Sequence, residues 1–276
     1  MKLLGNDAAI RLLRPSDIDG GMKLTRAAGW NQLPSDWERL LTLEPDGCFA
    51  LEADGEVAAS TTAICYGREL AWLGMVLTAP EYRRRGFAES LVERALQFLQ
   101  SRGVSTVKLD ATATGIGLYR KLGFVDECEI ERWQRSPQPI PAGEAMSYVP
   151  EFSYDRAIFG ADRSALLADL QRLGAASLPG EGYAMGRAGF TAAYFGPCLA
   201  KSTAAARRLL RWFLARRGAD QVFWDLFPCN QEAVHLAEEF GFVPVRRLTR
   251  MALFNGPVQP VPDQAEVFAI AGFELG

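Results

Sequence analysis

The feature that most constrains this chain is a motif that occurs once near the end of each half. Residues 118–124 (LYRKLGF) align without a gap over residues 236–242 (LAEEFGF). In both halves the segment before the motif begins with a helical pattern that ends in Arg-Gly, at 102–103 and 217–218. Such self-similarity is the signature of an internal duplication. We therefore expect one fold to occur twice within the 276 residues.

A proline-rich stretch separates the two halves. Residues 135–143 (RSPQPIPAG) carry three prolines at alternate positions. Proline lacks a backbone N–H, so this stretch is not expected to continue a helix or to lie inside a sheet. We expect a first domain at 1–134, a linker at 135–144 and a second domain at 145–276.

Hydrophobic patterns in the first half alternate between the strand and helix types. Residues 71–78 are nearly all apolar, as in a strand that is buried on both faces. Residues 86–102 place Leu91, Ala95 and Leu99 on one side of a helix. The pair Asp54-Gly55 is typical of a tight hairpin between two strands. The order predicts an α+β fold, an α/β sandwich with a central sheet flanked by helices.

Charge and residue usage exclude several classes of function. Thirty basic against 33 acidic residues give a net charge of −3, so nucleic-acid binding is not expected. Local binding through 83–85 and 207–208 is a weaker alternative. His235 is the only histidine, and no CxxC motif occurs, so neither a metal site nor a disulfide framework is predicted. The scattered cysteines are Cys48, Cys65, Cys128, Cys198 and Cys229.

Apolar runs in the sequence are short. The longest uncharged run has 13 residues, at 188–200, which is shorter than a membrane-spanning helix. The N-terminus meets an acid at Asp7 and lacks the apolar core of a signal peptide. We therefore expect a cytoplasmic protein without a membrane partner.

The turn between the apolar strand and the following helix has the composition of an anion site. Free N–H groups at a helix start attract phosphate, and Gly86 lets a phosphate approach the backbone closely. Three consecutive arginines, 83–85, add positive charge. A pyrophosphate suits such a turn, whereas a solvated basic turn is the alternative.

This turn and the later motif together resemble one known family. Arg83-x-x-Gly86-x-Ala88 resembles the Arg/Gln-x-x-Gly-x-Gly/Ala motif of the GNAT superfamily of acetyl-CoA-dependent N-acetyltransferases. Residues 118–124 are similar to that superfamily's Leu-Tyr-x-Lys-x-Gly-Phe segment. The resemblance covers residues 8–134 directly, and the second half is similar to a degenerate GNAT repeat. It implies two GNAT-like domains, each with a mixed, mostly antiparallel central sheet flanked by helices.

The resemblance implies roles for particular residues. The strand end would pair with the pantetheine arm of acetyl-CoA and the turn would hold its pyrophosphate. These positions are Val76, Leu77 and Thr78 for the arm, and Arg83, Arg84, Arg85, Gly86, Phe87, Ala88 and Glu89 for the pyrophosphate. Tyr119 would protonate the departing thiolate, since a phenol has a suitable pKa. A packing aromatic is the other interpretation of Tyr119.

The general base and the acceptor site are left open by the sequence. The strand 71–78 carries no acid, so the strand glutamate that many relatives use is absent. Glu69, Asp110 or water are the candidates, and Asp110 also fits a cap or turn. Residues 113–115 depart from the family's usual Asn. Trp30 and Trp37 either line the acceptor pocket or belong to the core.

The second repeat lacks both landmarks. Ala237 stands where Tyr119 stands in the first, and residues 196–203 have no phosphate-turn motif. We expect a catalytically silent second domain and one active site per chain. The implied reaction moves an acetyl group to a primary amine of a small-molecule or peptide acceptor, in a possible homodimer. The alternative is a non-catalytic acyl-CoA-binding regulatory module.

Overall fold

The structure is a computed structural model that describes residues 8–141, 144–256 and 263–276. The predicted N-terminal features of residues 1–7 and the linker residues 142–143 lie outside this part of the chain. Across the described residues, no helix combines the length and the apolar character needed to cross a membrane.

The first half alternates strands and helices in the predicted manner. Asp54 and Gly55 both have positive φ, 53° and 76°, so they form the tight hairpin expected between two strands. The elements are β1 (Ala8–Leu12), α1 (Ile18–Ala27), α2 (Pro34–Leu43), β2 (Cys48–Ala53), β3 (Glu56–Tyr66), β4 (Leu70–Thr78), α3 (Phe87–Ser101), β5 (Thr106–Ala111), α4 (Ile116–Lys121) and β6 (Val125–Arg135).

The second half repeats the order strand, strand, strand, helix, strand, helix, strand. This repetition agrees with the duplication that the sequence predicts. The elements are α5 (Phe152–Phe159), α6 (Ser164–Leu170), β7 (Ala175–Leu178), β8 (Gly182–Arg187), β9 (Ala193–Ala200), α7 (Thr203–Arg217), β10 (Val222–Leu226), α8 (Gln231–Glu239), β11 (Val243–Phe254) and β12 (Val267–Ala269).

All strands of the described residues join one sheet of twelve strands. Its order is β1-β2-β3-β4-β5-β11-β6-β10-β9-β8-β7, and β12 pairs with β9. Only the pairs β4–β5 and β9–β10 are parallel. The predicted α+β class with a mixed, mostly antiparallel sheet is confirmed.

The two halves exchange their last long strands. β11 of the second half lies between β5 and β6, and β6 of the first half lies between β11 and β10. Thr249 pairs with Ala111, and Trp224 pairs with Trp133. The boundaries at 134 and 145 stay predictions, but backbone hydrogen bonds cross between the halves along the whole centre of the sheet.

The two faces of the sheet carry different cores. Leu70 and Trp72 face a core shared by both halves, under α1, α2 and α6. Ala71 and Leu73 alternate to the opposite face, because successive side chains in a strand point to opposite sides. On that second face, α3 covers a core of the first half and α7 covers a core of the second.

A buried ion pair joins the exchanged strands. Arg250 of β11 donates from Nε and Nη2 to the Asp110 carboxylate of β5 at 2.8 and 2.9 Å. The Asp110 side chain has no exposed surface, and that of Arg250 is 8% exposed. The guanidinium also lies over the Trp72 ring at 4.5 Å. Removal of either partner would leave an uncompensated charge in the core.

We expect Arg250→Ala to lower the free energy of unfolding by about 3–5 kcal/mol, because Asp110 would stay buried without its partner. Urea denaturation measures this change. The control is Arg120→Ala, which removes an exposed pair with Asp126 and should leave the midpoint nearly unchanged. Equal midpoints for both variants would contradict the structural role of the buried pair.

Candidate active site

A cavity opens where β4 and β5 separate. The two parallel strands pair only between residues 70–72 and 106–108. Beyond Trp72 they diverge, and a cavity of about 610 Å³ lies between their carboxyl ends. The structure brings five of the predicted site residues to this cavity: Val76, Leu77, Thr78, Arg83 and Tyr119.

A bulge in β4 shapes the wall of the cavity. Between the pairs Ser60–Leu77 and Thr62–Gly74, β4 has one residue more than β3. Met75 adopts φ +50°, and Ser60 Oγ donates to the Met75 carbonyl at 2.8 Å. A left-handed methionine is a strained conformation of the kind that concentrates at functional sites. The bulge and the missing β5 partner leave backbone polar groups of β4 free to meet a ligand in the cavity.

The turn before α3 has the backbone of an anion site. Arg84 and Gly86 adopt positive φ, 63° and 84°, and Gly86 is the N-cap of α3 without a side-chain cap. Ser90 N–H donates to the Gly86 carbonyl at 3.0 Å, which closes the first turn of a 15-residue helix. The preceding N–H groups have no carbonyl within the helix to bond. They and the helix dipole favour an anion at this end.

The other predicted turn residues lie outside the cavity lining. Arg84 and Arg85 are exposed, and the Arg85 guanidinium lies 5.0 Å from the centre of the Tyr82 ring. Phe87 is buried and stacks on Tyr82 at 5.9 Å. Glu89 forms an ion pair with Lys121. A phosphate at this turn would therefore meet the backbone of Phe87 and Glu89 rather than their side chains.

Tyr119 lies between the cavity and the core under α3. It is 7% exposed and packs edge-on against Phe124 at 5.8 Å. Burial raises the pKa of Tyr119 above its ordinary value. The phenol therefore stays protonated across the neutral range and holds a proton that it can donate.

The structure separates the two sequence candidates for the general base. Asp110 lines the cavity, but both of its carboxylate oxygens accept from Arg250. Burial raises the pKa of Asp110, and Arg250 opposes that shift. Glu69 lies at the start of β4, far along the strand from Thr78, and its side chain is 56% exposed near Arg156. The structure does not bring Glu69 to the cavity.

A carboxylate that the sequence reasoning missed also lines the cavity. Glu274 is 5% exposed, and Arg187 Nη2 donates to its Oε1 at 3.4 Å. Burial raises the pKa of Glu274, while Arg187 opposes the shift. A Cβ added to Gly74 would lie 2.9 Å from the Glu274 backbone, so the missing side chain of β4 makes room for this residue. The feature of the sequence that could have indicated Glu274 is that it is the single acid within the otherwise apolar run 267–276.

The acceptor side of the cavity includes further residues from both halves. Trp30 lines the cavity as one interpretation expected, whereas Trp37 is fully buried beside Gly21 and belongs to the core. Gln32 and Arg246 also line the cavity. Gln32 belongs to the same loop as Trp30, whereas sequence reasoning missed Arg246 because β11 reaches the first half only through the strand exchange.

The corresponding cleft in the second half is closed. β9 and β10 pair only between 193–195 and 222–224, as β4 and β5 do. Here β12 pairs with β9 beyond that point, and Trp224 Nε1 donates to the Phe268 carbonyl at 2.7 Å. The first turn of α7 is capped by Ser202, whose Oγ accepts from Ala205 N–H at 3.2 Å. Backbone groups that are free in the first half are therefore satisfied in the second.

Two family models match the chain. The model described as "Acetyltransferase (GNAT) family" matches residues 21–124, and "Acetyltransferase (GNAT) domain" matches residues 152–269. The chain belongs to the GNAT superfamily. It is a tandem GNAT N-acetyltransferase by family, as the phosphate-turn motif and residues 118–124 predicted.

A curated relative and two solved structures match nearly the whole chain. "Holothin acyltransferase" of Pseudoalteromonas sp. (strain SANK 73390) is 26% identical over 91% of this chain and 88% of its own length. A solved structure from Pyrococcus horikoshii, provisionally named as an acetyltransferase, is 26% identical with a TM-score of 0.85, covering 100% of this chain and 98% of its own. A tandem GNAT protein from the clavulanic acid biosynthesis pathway shares the fold, with 15% identity and a TM-score of 0.64 over 92% of this chain and 100% of its own.

Metal ligands do not cluster in the part of this GNAT chain that the structure describes. Those residues contain no group of three or more His, Cys, Asp or Glu side chains placed to hold a metal ion.

The close approach of Gly74 to Glu274 can be tested by substitution. Gly74→Ala should lower the free energy of unfolding by about 1–3 kcal/mol, because the backbone at Glu274 must shift. Chemical denaturation measures the change. Gly117→Ala is the matched control, since an added methyl there has nothing within 4 Å. A Gly74→Ala protein as stable as the control would contradict the packing seen here.

Proposed function

We propose that this chain transfers an acetyl group from acetyl-CoA to a primary amine at one active site per chain, in the cleft between β4 and β5. The observation that carries the proposal is the convergence of three features on one cavity. These are the β4 edge with its bulge at Met75, Arg83 of the turn that leads into the glycine-capped α3, and the buried phenol of Tyr119.

The residues around the cleft fit acetyl-CoA, which when bound supplies the acetyl thioester. Val76, Leu77 and Thr78 lie on the strand edge that lacks a β5 partner, so their backbone groups would pair with the pantetheine arm. The N–H groups of 84–89 would bind the pyrophosphate, and Arg83 adds a positive charge beside them. Arg83 Nε also donates to the Thr78 carbonyl at 3.3 Å, which links the two parts of the site.

The chemistry follows from groups on both sides of the thioester. N–H groups at the β4 bulge would stabilise the oxyanion that forms when the amine attacks the carbonyl. The new C–N bond forms as the C–S bond breaks. Tyr119 would donate its proton to the departing sulfur and regain one from solvent.

The proton of the attacking amine needs an acceptor. Asp110 is held by two hydrogen bonds from Arg250, whereas the contact of Glu274 with Arg187 is long, 3.4 Å. Burial raises the pKa of Glu274, which makes its carboxylate a stronger base than an exposed one. We infer that Glu274 takes this proton, directly or through water.

The relatives support transfer to an acceptor by a two-domain chain. The Pseudoalteromonas relative is named for transfer of an acyl group to holothin. An acyl group other than acetyl is therefore a second possibility for this chain's donor. The cytoplasmic location and the homodimer expected from the sequence stay predictions.

Replacement of the proposed acid should separate catalysis from binding. Tyr119→Phe keeps the ring packed against Phe124 and removes only the hydroxyl, so kcat should fall by about 10²- to 10⁴-fold. The dissociation constant for acetyl-CoA should stay within about twofold. Steady-state turnover and calorimetry measure the two quantities. Unchanged turnover would mean that Tyr119 is a packing residue, and absence of turnover in the unaltered protein would favour a non-catalytic acyl-CoA-binding module.

The stoichiometry of acetyl-CoA binding should be one per chain. In the second half, β12 and Ser202 already form hydrogen bonds with the backbone groups that correspond to the proposed binding groups of the first half. Isothermal titration calorimetry measures this number. A Gly86→Val variant, which places a β-branched side chain at a positive φ, should abolish the single binding event. Two equivalent sites per chain would refute the silent second half.

A further inference from the structure

The acceptor side of the cavity carries a cation without an acidic partner. Arg246 of β11 lines the cavity and is partly buried. The neighbouring arginines form ion pairs, Arg132 with Asp225 and Arg250 with Asp110. No carboxylate within the described ranges forms a salt bridge with Arg246. Burial and the charge of Arg132 lower the pKa of Arg246, while the charge of Asp225, which is paired with Arg132, opposes the shift.

Two hydrogen-bond acceptors face the same region. Gln32 is 9% exposed, and its Oε1 is buried with no hydrogen-bond partner in the described structure. The Glu274 carboxylate lines the cavity beside it. A buried acceptor without a donor is costly, so Gln32 Oε1 favours a ligand that brings N–H donors. The Glu274 carboxylate, whose contact with Arg187 is long at 3.4 Å, adds a negative charge for such a ligand. An ammonium group supplies three such donors and a compensating charge.

The segment that carries Gln32 is fixed in place. The neighbouring Asn31 accepts from Thr191 and Ala192 N–H groups at 2.8 and 3.0 Å and donates to the Ala192 carbonyl at 2.9 Å. The loop between α1 and α2 is therefore anchored on the second half of the chain. The Asn31 contacts therefore hold the Gln32 loop at the cavity, and the strand pairing of β11 with β6 holds Arg246 there.

We propose that the acceptor is a primary amine that also carries an anionic group, with its ammonium at Gln32 and Glu274 and its anion at Arg246. This rests on the proposed function, because it assigns the acceptor of the same cleft. The planar fork of a guanidinium matches a carboxylate through two parallel hydrogen bonds. An amine without an anionic group would leave Arg246 unpaired inside the cavity, so the site selects against such an acceptor.

A series of ω-amino acids tests the proposal and measures the spacing of the two groups. The probes are glycine, β-alanine, γ-aminobutyrate and 6-aminohexanoate, each compared with its amide. At least one acid should exceed its amide by 10-fold or more in kcat/KM. Arg246→Gln should lower kcat/KM for that acid by about 10- to 100-fold, as expected for loss of a hydrogen bond to a charged group. The kcat/KM for the amide should not fall, because the amide has no anion to lose its partner, and the KM for acetyl-CoA should stay unchanged.

Two variants complete the comparison. Arg246→Lys keeps the charge and should retain part of the kcat/KM that Arg246→Gln loses. Arg217→Gln removes a partly exposed arginine of α7 and should change neither the kcat/KM for the acid nor the KM for acetyl-CoA. Thermal midpoints show whether each variant is folded. Equal kcat/KM for acids and amides would overturn the proposal while the proposed function stands. An Arg246→Gln effect on the KM for acetyl-CoA alone would assign Arg246 to the donor and would also overturn it.

Binding of the same probes, measured by calorimetry in the presence of coenzyme A, separates the two proposals when turnover is absent. Acid binding that weakens about 10-fold or more in Arg246→Gln would support the anion site even if no probe is acetylated, and would then count against the proposed function. Absence of preferential acid binding across the series would overturn the anion site.

Discussion

The rest of the structure depends on the exchange of β6 and β11 between the two halves. This exchange puts a strand of the second half beside β5, where the first half's own last strand would otherwise complete its sheet. The backbone ladder and the buried Arg250–Asp110 pair hold β11 there. Because of this placement, Arg246 and Leu248 reach a cavity that is lined mostly by residues of the first half. The proposed active site therefore includes residues of both halves.

The segment 267–276 has opposite effects on the two clefts. Its first part, β12, fills the gap between β9 and β10 and satisfies the backbone groups there. Its last part runs to the first cleft, where Trp72 Nε1 donates to the Phe273 carbonyl at 2.8 Å and Glu274 packs on Gly74. One stretch of chain thus closes the second cleft and supplies a carboxylate to the first. The proposed silence of the second repeat and the proposed base of the first therefore depend on the same segment.

Local features of the fold could be predicted from the sequence because they depend on residues close together in the chain. The hairpin at Asp54-Gly55, the bounds of α7 and the glycine cap of α3 follow from turn chemistry and periodicity. The strand exchange could not be predicted, since β6 and β11 are equivalent strands and either partner satisfies the same hydrophobic pattern. The donor side of the site was therefore accessible from motifs. Arg246 was not, because it depends on the strand exchange, and Glu274 was not, because it depends on the path of the segment 267–276.

The charges at the cleft also give the second half a structural role in the proposed site. In the first half alone, β4 carries no acid, and the Asp110 carboxylate that lines the cavity would lack its partner Arg250. The second half supplies that partner, a further carboxylate at Glu274 that Arg187 holds, and Arg246. Buried charges of this kind must be paired or meet a ligand, because isolation in the core is costly. Arg187 and Glu274 form such a pair, and the unpaired Arg246 then sets the charge that an acceptor must bring.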